Sequence, residues 1–304
     1  MVAENRALAV VFMIAAAVFI AATTLLAKAL GTQALGPPLH PLQISHGRFL
    51  FAWLAITSMV LILRPQLRAT NLKLHIARTS CGWLGVTLMF AAVASIPLQD
   101  ATALRFLNVV FCMLLAIPLL GERVGPIRWS AALIALVGAT VLLRPGAGAL
   151  QMGAFLALGA ALIMGLELIF IKRLAGRERP LAILFINNTI GVTISSVAVM
   201  FVWAAPTPMQ WAALAGLGVL MACAQACFIN AMSRADASFI TPFSYLTLVF
   251  AAFYDAALFG VRPDATSVLG ASIIIAGAAL LAWREGRLRP LAGSPSGTST
   301  TPRT

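Results

Sequence analysis

Apolar residues fall into ten long stretches along this chain, at about 7–30, 43–63, 75–96, 100–120, 127–143, 151–173, 181–203, 209–232, 237–259 and 265–283. Short polar or basic segments separate them. A helix needs roughly 20 mostly apolar residues to cross a hydrocarbon core of about 30 Å. Most of the stretches meet that length, and the shortest, 127–143, sits at its lower edge. The pattern predicts an all-α, polytopic membrane protein of ten transmembrane helices. Composition agrees, with 61% hydrophobic residues, 10% charged residues and a mean hydropathy of +0.97. A water-soluble fold of this size could not cover so much apolar surface.

The net charge of +12 would suit a nucleic-acid binder, but its distribution points elsewhere. With the N-terminus placed inside, the inner segments hold Arg6; Arg64, Arg68, Lys73, Arg78; Arg123, Arg128; Lys172, Arg173, Arg177, Arg179; Arg234; and Arg284, Arg287, Arg289, Arg303. The outer loops hold only Arg144 and Arg262, while Lys28, Arg48 and Arg105 lie within or at the ends of spans. Short loops with this bias follow the positive-inside rule. Both termini are therefore expected in the cytoplasm of a cell whose inner membrane holds the chain. The basic loops read as topology signals and anionic-lipid contacts, with no nucleic-acid partner. The first stretch outruns the 7–15 residues of a usual signal-peptide core and reads as a retained helix. Gly286–Thr304, rich in Gly, Ser, Thr and Pro, reads as a disordered cytoplasmic tail. Cys81, Cys112, Cys223 and Cys227 all fall inside spans and read as small packing residues.

Two stretches 139 residues apart are punctuated alike. Leu120-Gly121-Glu122 precedes a helix containing Leu136-Val137-Gly138-Ala139, and Phe259-Gly260-Val261 precedes one containing Ile275-Ala276-Gly277-Ala278. Asp100-Ala101-Thr102 and Asp236-Ala237-Ser238 open the preceding helices, and Lys28-Ala29-Leu30 pairs more loosely with Lys172-Arg173-Leu174. The predicted organisation is one five-helix repeat over 1–146, a second over 147–285, and the tail over 286–304. Because five is odd, the second copy enters the membrane from the opposite side. Inverted repeats of this kind mark secondary transporters, whose substrate site lies near the midplane between the halves.

Ten helices in two halves, with the Leu120-Gly121-Glu122-Arg123 step into a Gly138-containing helix, resemble the drug/metabolite transporter superfamily in its EamA-type branch. The resemblance is nearest to the bacterial exporters of aromatic amino acids and broad metabolites, and it covers residues 7–284. It implies export of amino acids or related small metabolites by alternating access, with helices 3, 4, 8 and 9 around a central cavity. The second copy departs by carrying Val261 where the first has Glu122. Phe106-Leu107-Asn108 stands where a proline is common in the fourth helix, whereas the ninth keeps Pro242.

Ionisable groups inside a span are costly, about 2.5–3.5 kcal/mol at a helix centre, so each needs a reason. At 100° per residue, Thr102, Arg105, Asn108 and Cys112 share one face of the fourth helix, and Thr241, Ser244, Tyr245 and Asp255 share one face of the ninth. Either these faces line a cavity or they hold a snorkelling arginine and interhelical hydrogen bonds. Arg48 and Arg105 come to the depth of Asp255, so an Arg105–Asp255 or Arg48–Asp255 pair is expected, as an outer gate or a permanent tie. Glu167, well inside the sixth helix, is a candidate proton carrier or a partner of Lys172 or Arg173. The stripe of Thr79, Trp83, Thr87, Phe90 and Ala94 on the third helix reads as packing. The resemblance, which puts that helix at the cavity, makes Trp83, Thr87 and Phe90 candidate substrate contacts. Gln225 is a further candidate, while Asn187 and Asn188 read as interhelical hydrogen bonders.

The sequence carries no GxxxxGK[ST] P-loop and no HExxH, so neither an ATP-driven pump nor a familiar metalloenzyme is expected. His40, His46 and His75 have no metal-ligand spacing. The reading is a secondary transporter, not an enzyme, with no cofactor, a small-molecule substrate and the lipid bilayer as partners. Nucleotide-sugar or cationic-drug transport is the alternative, and a channel is the more remote one. Proton coupling, and monomer against homodimer, stay open.

The loop bias generates a direct test. In a cysteine-free background, Arg68→Cys and Arg177→Cys should resist an impermeant thiol reagent in intact cells, and Pro206→Cys should react. Labelling of the first two from outside overturns the threading and the inversion together.

Overall fold

A computed structural model describes residues 6–64, 71–121, 125–143, 152–174, 180–232, 234 and 241–287. Among them all regular structure is helical: α1 (Arg6–Gly31), α2 (Pro41–Leu63), α3 (Leu72–Val93), α4 (Leu98–Arg105), α5 (Asn108–Leu120), α6 (Pro126–Leu143), α7 (Met152–Leu174), α8 (Pro180–Val199), α9 (Pro208–Met232), α10 (Leu246–Phe259) and α11 (Ala265–Arg287). Short 3-10 turns cover Gln33–Leu35 and Thr241–Tyr245. The predicted repeat boundary at 146/147 and residues 288–304 of the predicted tail lie outside the described residues.

Local chemistry sets the helix ends. Four helices start on a proline, whose missing N–H falls among first-turn donors that have no intrahelical partner. The Asn71 side chain accepts the Leu74 N–H at 3.2 Å at the head of α3. Helices α5 and α10 both stop at a glycine with positive φ, Gly121 at 65° and Gly260 at 67°, where a side chain would be strained.

Among the described residues seven helices are long and apolar enough to cross a membrane, Leu98–Leu120 counting as one of them. Three shorter apolar helices, Trp129–Leu142, Phe243–Phe259 and Ala265–Gly277, occupy the fifth, ninth and tenth predicted stretches. The fourth stretch is not the uninterrupted helix that its pattern predicts. The N–H groups of Phe106 and Leu107 bond only three residues back, to Ala103 and Leu104, both at 3.1 Å. This tightening separates α4 from α5 and turns the residues beyond it off the expected face.

Packing joins the first half of the chain to the second. Helix α1 lies along α9, α3 along α7, α6 along α11, and α2 against α8 and α9; α10 packs on α1, and α5 on α7. With the further contact of α3 on α8, shifting each predicted span by five maps this set of pairs onto itself. Three contacts or corners obey the 139-residue offset. Gly121 and Gly260 end equivalent helices. The rings of Phe106 and Tyr245 meet edge to face, with centroids 5.0 Å apart. A Cβ on Gly138 would stand 2.6 Å from the Ile274 nitrogen, and one on Gly277 would stand 2.6 Å from the Ala135 nitrogen. Such backbone contact is how helices associate where no water remains to drive apolar burial. The interior accordingly holds small residues such as Ala16, Ala17, Ala21 and Ala27, whereas Leu61, Ile62 and Phe201 face outward.

Candidate functional site

Below, the upper end of the molecule is the one where α1 finishes. A small, partly open cavity lies between the two halves, with about 330 Å³ of empty space when its open mouth is included and about 40 Å³ accessible to the centre of a water-sized sphere. Its wall is Ile20, Thr23 and Thr24 of α1; Arg48 of α2; Val86, Met89 and Phe90 of α3; Arg105 of α4; Met164 of α7; and Met221 of α9. The i, i+3, i+4 spacing of 20/23/24 and of 86/89/90 is one helical stripe presented twice. The threonine hydroxyls donate to their own helix, Thr23 to Phe19 at 2.6 Å and Thr24 to Ala21 at 2.8 Å, leaving oxygen lone pairs as acceptors.

Two guanidinium groups dominate this apolar wall. Arg48 is 5% exposed, and its Nη1 is buried without a hydrogen-bond partner. Arg105 ends α4 just before the tightened turn. Neither donates a hydrogen bond to, or forms a salt bridge with, any described residue; each guanidinium lies near the ring of the next residue, Phe49 or Phe106.

One turn below lies a second polar level. Glu167, three residues past Met164, pairs with Arg78 of α3 at 3.7 Å and acts electrostatically on Arg48 as well. Its carboxylate rests over Gly82, where a Cβ would come within 2.9 Å of Oε1. Trp83 Nε1 and Gln225 Oε1 are buried at this end without partners.

Above the cavity the two halves are tied together. Lys28 of α1 forms a buried ion pair with Asp255 of α10, whose second oxygen accepts the Leu98 N–H at 2.8 Å at the head of α4. The Gln43 side chain brackets the backbone of Ala204, donating to its carbonyl at 2.6 Å and accepting its N–H at 3.1 Å. Gln210 donates to the Pro37 carbonyl at 2.7 Å, and Ser267 to Asp100 at 3.2 Å.

Several sequence expectations meet here and others part. Phe90, Arg48 and Arg105 line the cavity, and Trp83, Gln225 and Glu167 stand beneath it. The expected Arg105–Asp255 or Arg48–Asp255 pair is replaced by Lys28–Asp255. The expected Lys172 or Arg173 partner of Glu167 is replaced by Arg78, and Arg173 donates to the Leu119 carbonyl instead. Thr87 is buried against Ser45, 2.9 Å between hydroxyl oxygens, and links α3 to α2. Asn108 and Cys112 turn their backbone to Gly165 of α7, where a Cβ would be 2.9 Å from each. Tyr245 is buried on Phe106; Ser244 shares its turn, and the Thr241 side chain lies outside the described residues. Asn187 accepts from Thr79 across α3 and α8 at 3.1 Å, while Asn188 donates within its own helix to Leu184. Lys28 was legible by depth alone, since it lies three residues from the end of α1 as Asp255 lies four from the end of α10. Met164, Met221 and the two threonines had no such signal.

The model of the EamA-like transporter family matches residues 7–144 and 151–283, one copy in each half. The chain is 32% identical over 214 residues to a riboflavin transporter of Rhizobium johnstonii, covering 70% of this chain and 71% of that one. It is 25% identical over 252 residues to an S-adenosylmethionine uptake transporter of Rickettsia prowazekii, covering 83% and 86%. A pseudopaline exporter of Pseudomonas aeruginosa is 24% identical over 205 residues, covering 66% and 71%. A solved crystal structure shares the fold at a TM-score of 0.62 and 20% identity, over 91% of this chain and 98% of that one.

The buried tie at the upper end should be energetically coupled. Removing one partner of a buried ion pair strands a charge and costs about 3–5 kcal/mol. Lys28→Met and Asp255→Leu should each destabilise the purified protein on that scale, and the double substitution should cost much less than their sum. Additive losses in thermal unfolding would show that the two side chains are not coupled.

Proposed function

Because the chain belongs to the EamA-like transporter family, we propose that it is a secondary transporter of small organic metabolites that bear a carboxylate, amino acids and related compounds among them. It sits in the inner membrane, spans it ten times as two inverted five-span repeats, and keeps both termini in the cytoplasm. The solute occupies the cavity between the halves, with its acid group on Arg48 and Arg105 and its body against Phe90, Met89, Met164 and Met221. The observation that carries this reading is the pair of guanidinium groups, left without acceptors among the described residues in a wall that is otherwise apolar apart from Thr23 and Thr24. A planar fork of N–H donors suits a carboxylate in two-bond geometry.

Alternating access follows from the same arrangement. Cross-half ties above the cavity support an upper end that is closed, and the unpartnered polar atoms of Trp83 and Gln225 lie toward the lower end. Opening the upper end requires the Lys28–Asp255, Gln43–Ala204 and Gln210–Pro37 contacts to part. An inverted partner arrangement then closes the lower end. Transport through one cavity runs in either direction, so relatives named for uptake and for export fit one architecture. Export is the direction implied by the resemblance to amino-acid exporters. A second reading, a larger flat solute, is favoured by the identity to a riboflavin transporter.

Counterflow in proteoliposomes tests this directly, using labelled amino acids, riboflavin and S-adenosylmethionine. Saturable exchange is expected for carboxylate-bearing probes. Arg48→Ala and Arg105→Ala should each reduce it about tenfold or more at unchanged folded yield, the scale of a lost hydrogen bond to a charged group. No saturable exchange of any probe would sink the proposal, and exchange of riboflavin alone would select the second reading.

A further inference from the structure

The charges that the cavity leaves over carry the substrate class further. Four ionisable groups in this region form two ion pairs, Lys28 with Asp255 above and Arg78 with Glu167 below; the second is looser, at 3.7 Å, and leaves Arg78 Nε and Nη1 without hydrogen-bond partners among the described residues. Arg48 and Arg105 remain, both facing the cavity and both without an ion-pair partner among the described residues. Glu167 acts on both Arg78 and Arg48 from below, one carboxylate against two guanidinium groups. Among the described residues the cavity and the level beneath it therefore carry an excess of two positive charges, in surroundings less polar than bulk water.

From this geometry we infer that the preferred solute is an organic dianion, with two acidic charges on a short apolar body. The inference rests on the reading of the cavity as the transport site. Two further observations favour it over a zwitterion or a cation. Among the described residues the cavity wall has no carboxylate to receive an ammonium or sulfonium group, and its polar side chains besides the arginines are Thr23 and Thr24. An ammonium placed there would meet two guanidinium groups at close range, a like-charge contact that an interior of low polarity does not screen. The buried Nη1 of Arg48 is a donor with no acceptor among the described residues. Between the arginines, Val86, Met89, Phe90 and Met164 offer only hydrocarbon, sulfur and an aromatic ring. Such a wall suits the carbon chain that joins two acid groups. Dicarboxylates and phosphomonoesters share this chemistry.

The charge of the solute can be read from relative rates. Full-length protein in proteoliposomes would be assayed by counterflow with succinate and glycerol 3-phosphate as dianions, butyrate as a monoanion and leucine as a zwitterion. One dianion at least should exchange tenfold or more faster than butyrate and leucine. Whether succinate or glycerol 3-phosphate leads separates the two sources. Arg105→Gln and Arg48→Gln, each removing one positive charge, should collapse the dianion-to-monoanion ratio to about two or less. Arg48→Lys, which keeps the charge but not the planar fork, should retain the preference at reduced rate. The ratio is read on protein that reconstitutes, so a merely misfolding variant lowers all rates without changing it. Leucine exchanging as fast as the dianions would overturn the inference and leave the transporter reading intact. A dianion preference unmoved by both arginine substitutions would also overturn it. No exchange of any probe here or in the wider panel would end both.

Discussion

A charge inside a bilayer-spanning fold cannot call on water, so it must find its partner in the protein or in the solute. The arrangement of this molecule follows from how that requirement is met at three levels. At the upper level Lys28 and Asp255 neutralise each other, and Asp255 also caps the first turn of α4 through the Leu98 N–H. At the lower level Arg78 and Glu167 pair more loosely, in a space that exists because position 82 is a glycine. Between them Arg48 and Arg105 are left open to a cavity. The two paired levels join helices of the first half to helices of the second, so compensation of charge and cohesion of the halves are one set of contacts.

The repeat supplies the mechanical frame. Tight backbone contacts at Gly138 and Gly277 hold α6 to α11, away from the residues that line the cavity. Phe106 and Tyr245, equivalent positions in the two copies, touch each other where both fourth-span segments tighten into 3-10 geometry. Arg105 sits directly before that point. A small change in the Phe106–Tyr245 contact would therefore bear on a cavity-lining guanidinium, at a place where the backbone already departs from an ideal helix. The ties at Gln43–Ala204 and Gln210–Pro37 join buried glutamine side chains to the backbone of exposed residues, so opening that end brings both glutamines to water.

Much of this frame was legible from residue pattern. Apolar length predicted the helices, and the offset between Gly121 and Gly260 predicted equivalent corners, because a left-handed helix end demands glycine in either copy. Helical depth put Arg48, Arg105 and Asp255 at similar levels. It did not pair them correctly, because depth says nothing about azimuth between helices and Lys28 had been counted among residues at span ends. The face drawn through Thr102, Arg105, Asn108 and Cys112 assumed a uniform 100° step. The tightening at Phe106–Leu107, which no proline or glycine announces, broke that assumption. The partner of Glu167 was sought one turn away on its own helix, where sequence spacing can see, and was found on α3, where it cannot. Met164 and Met221 lie on helices that are apolar all round, so no periodicity separates their cavity side from their lipid side.

The central claim is that the upper end of this molecule must open across the two halves for solute to pass. With Cys81, Cys112, Cys223 and Cys227 replaced, Gln43→Cys and Ala204→Cys place thiols on either side of one of the ties, and a short bis-methanethiosulfonate spans them. Counterflow measured before bridging, after bridging and after reduction reads the requirement directly. The account predicts that bridging stops exchange and that reduction restores it. Exchange that continues at full rate through a quantitatively bridged pair would contradict it.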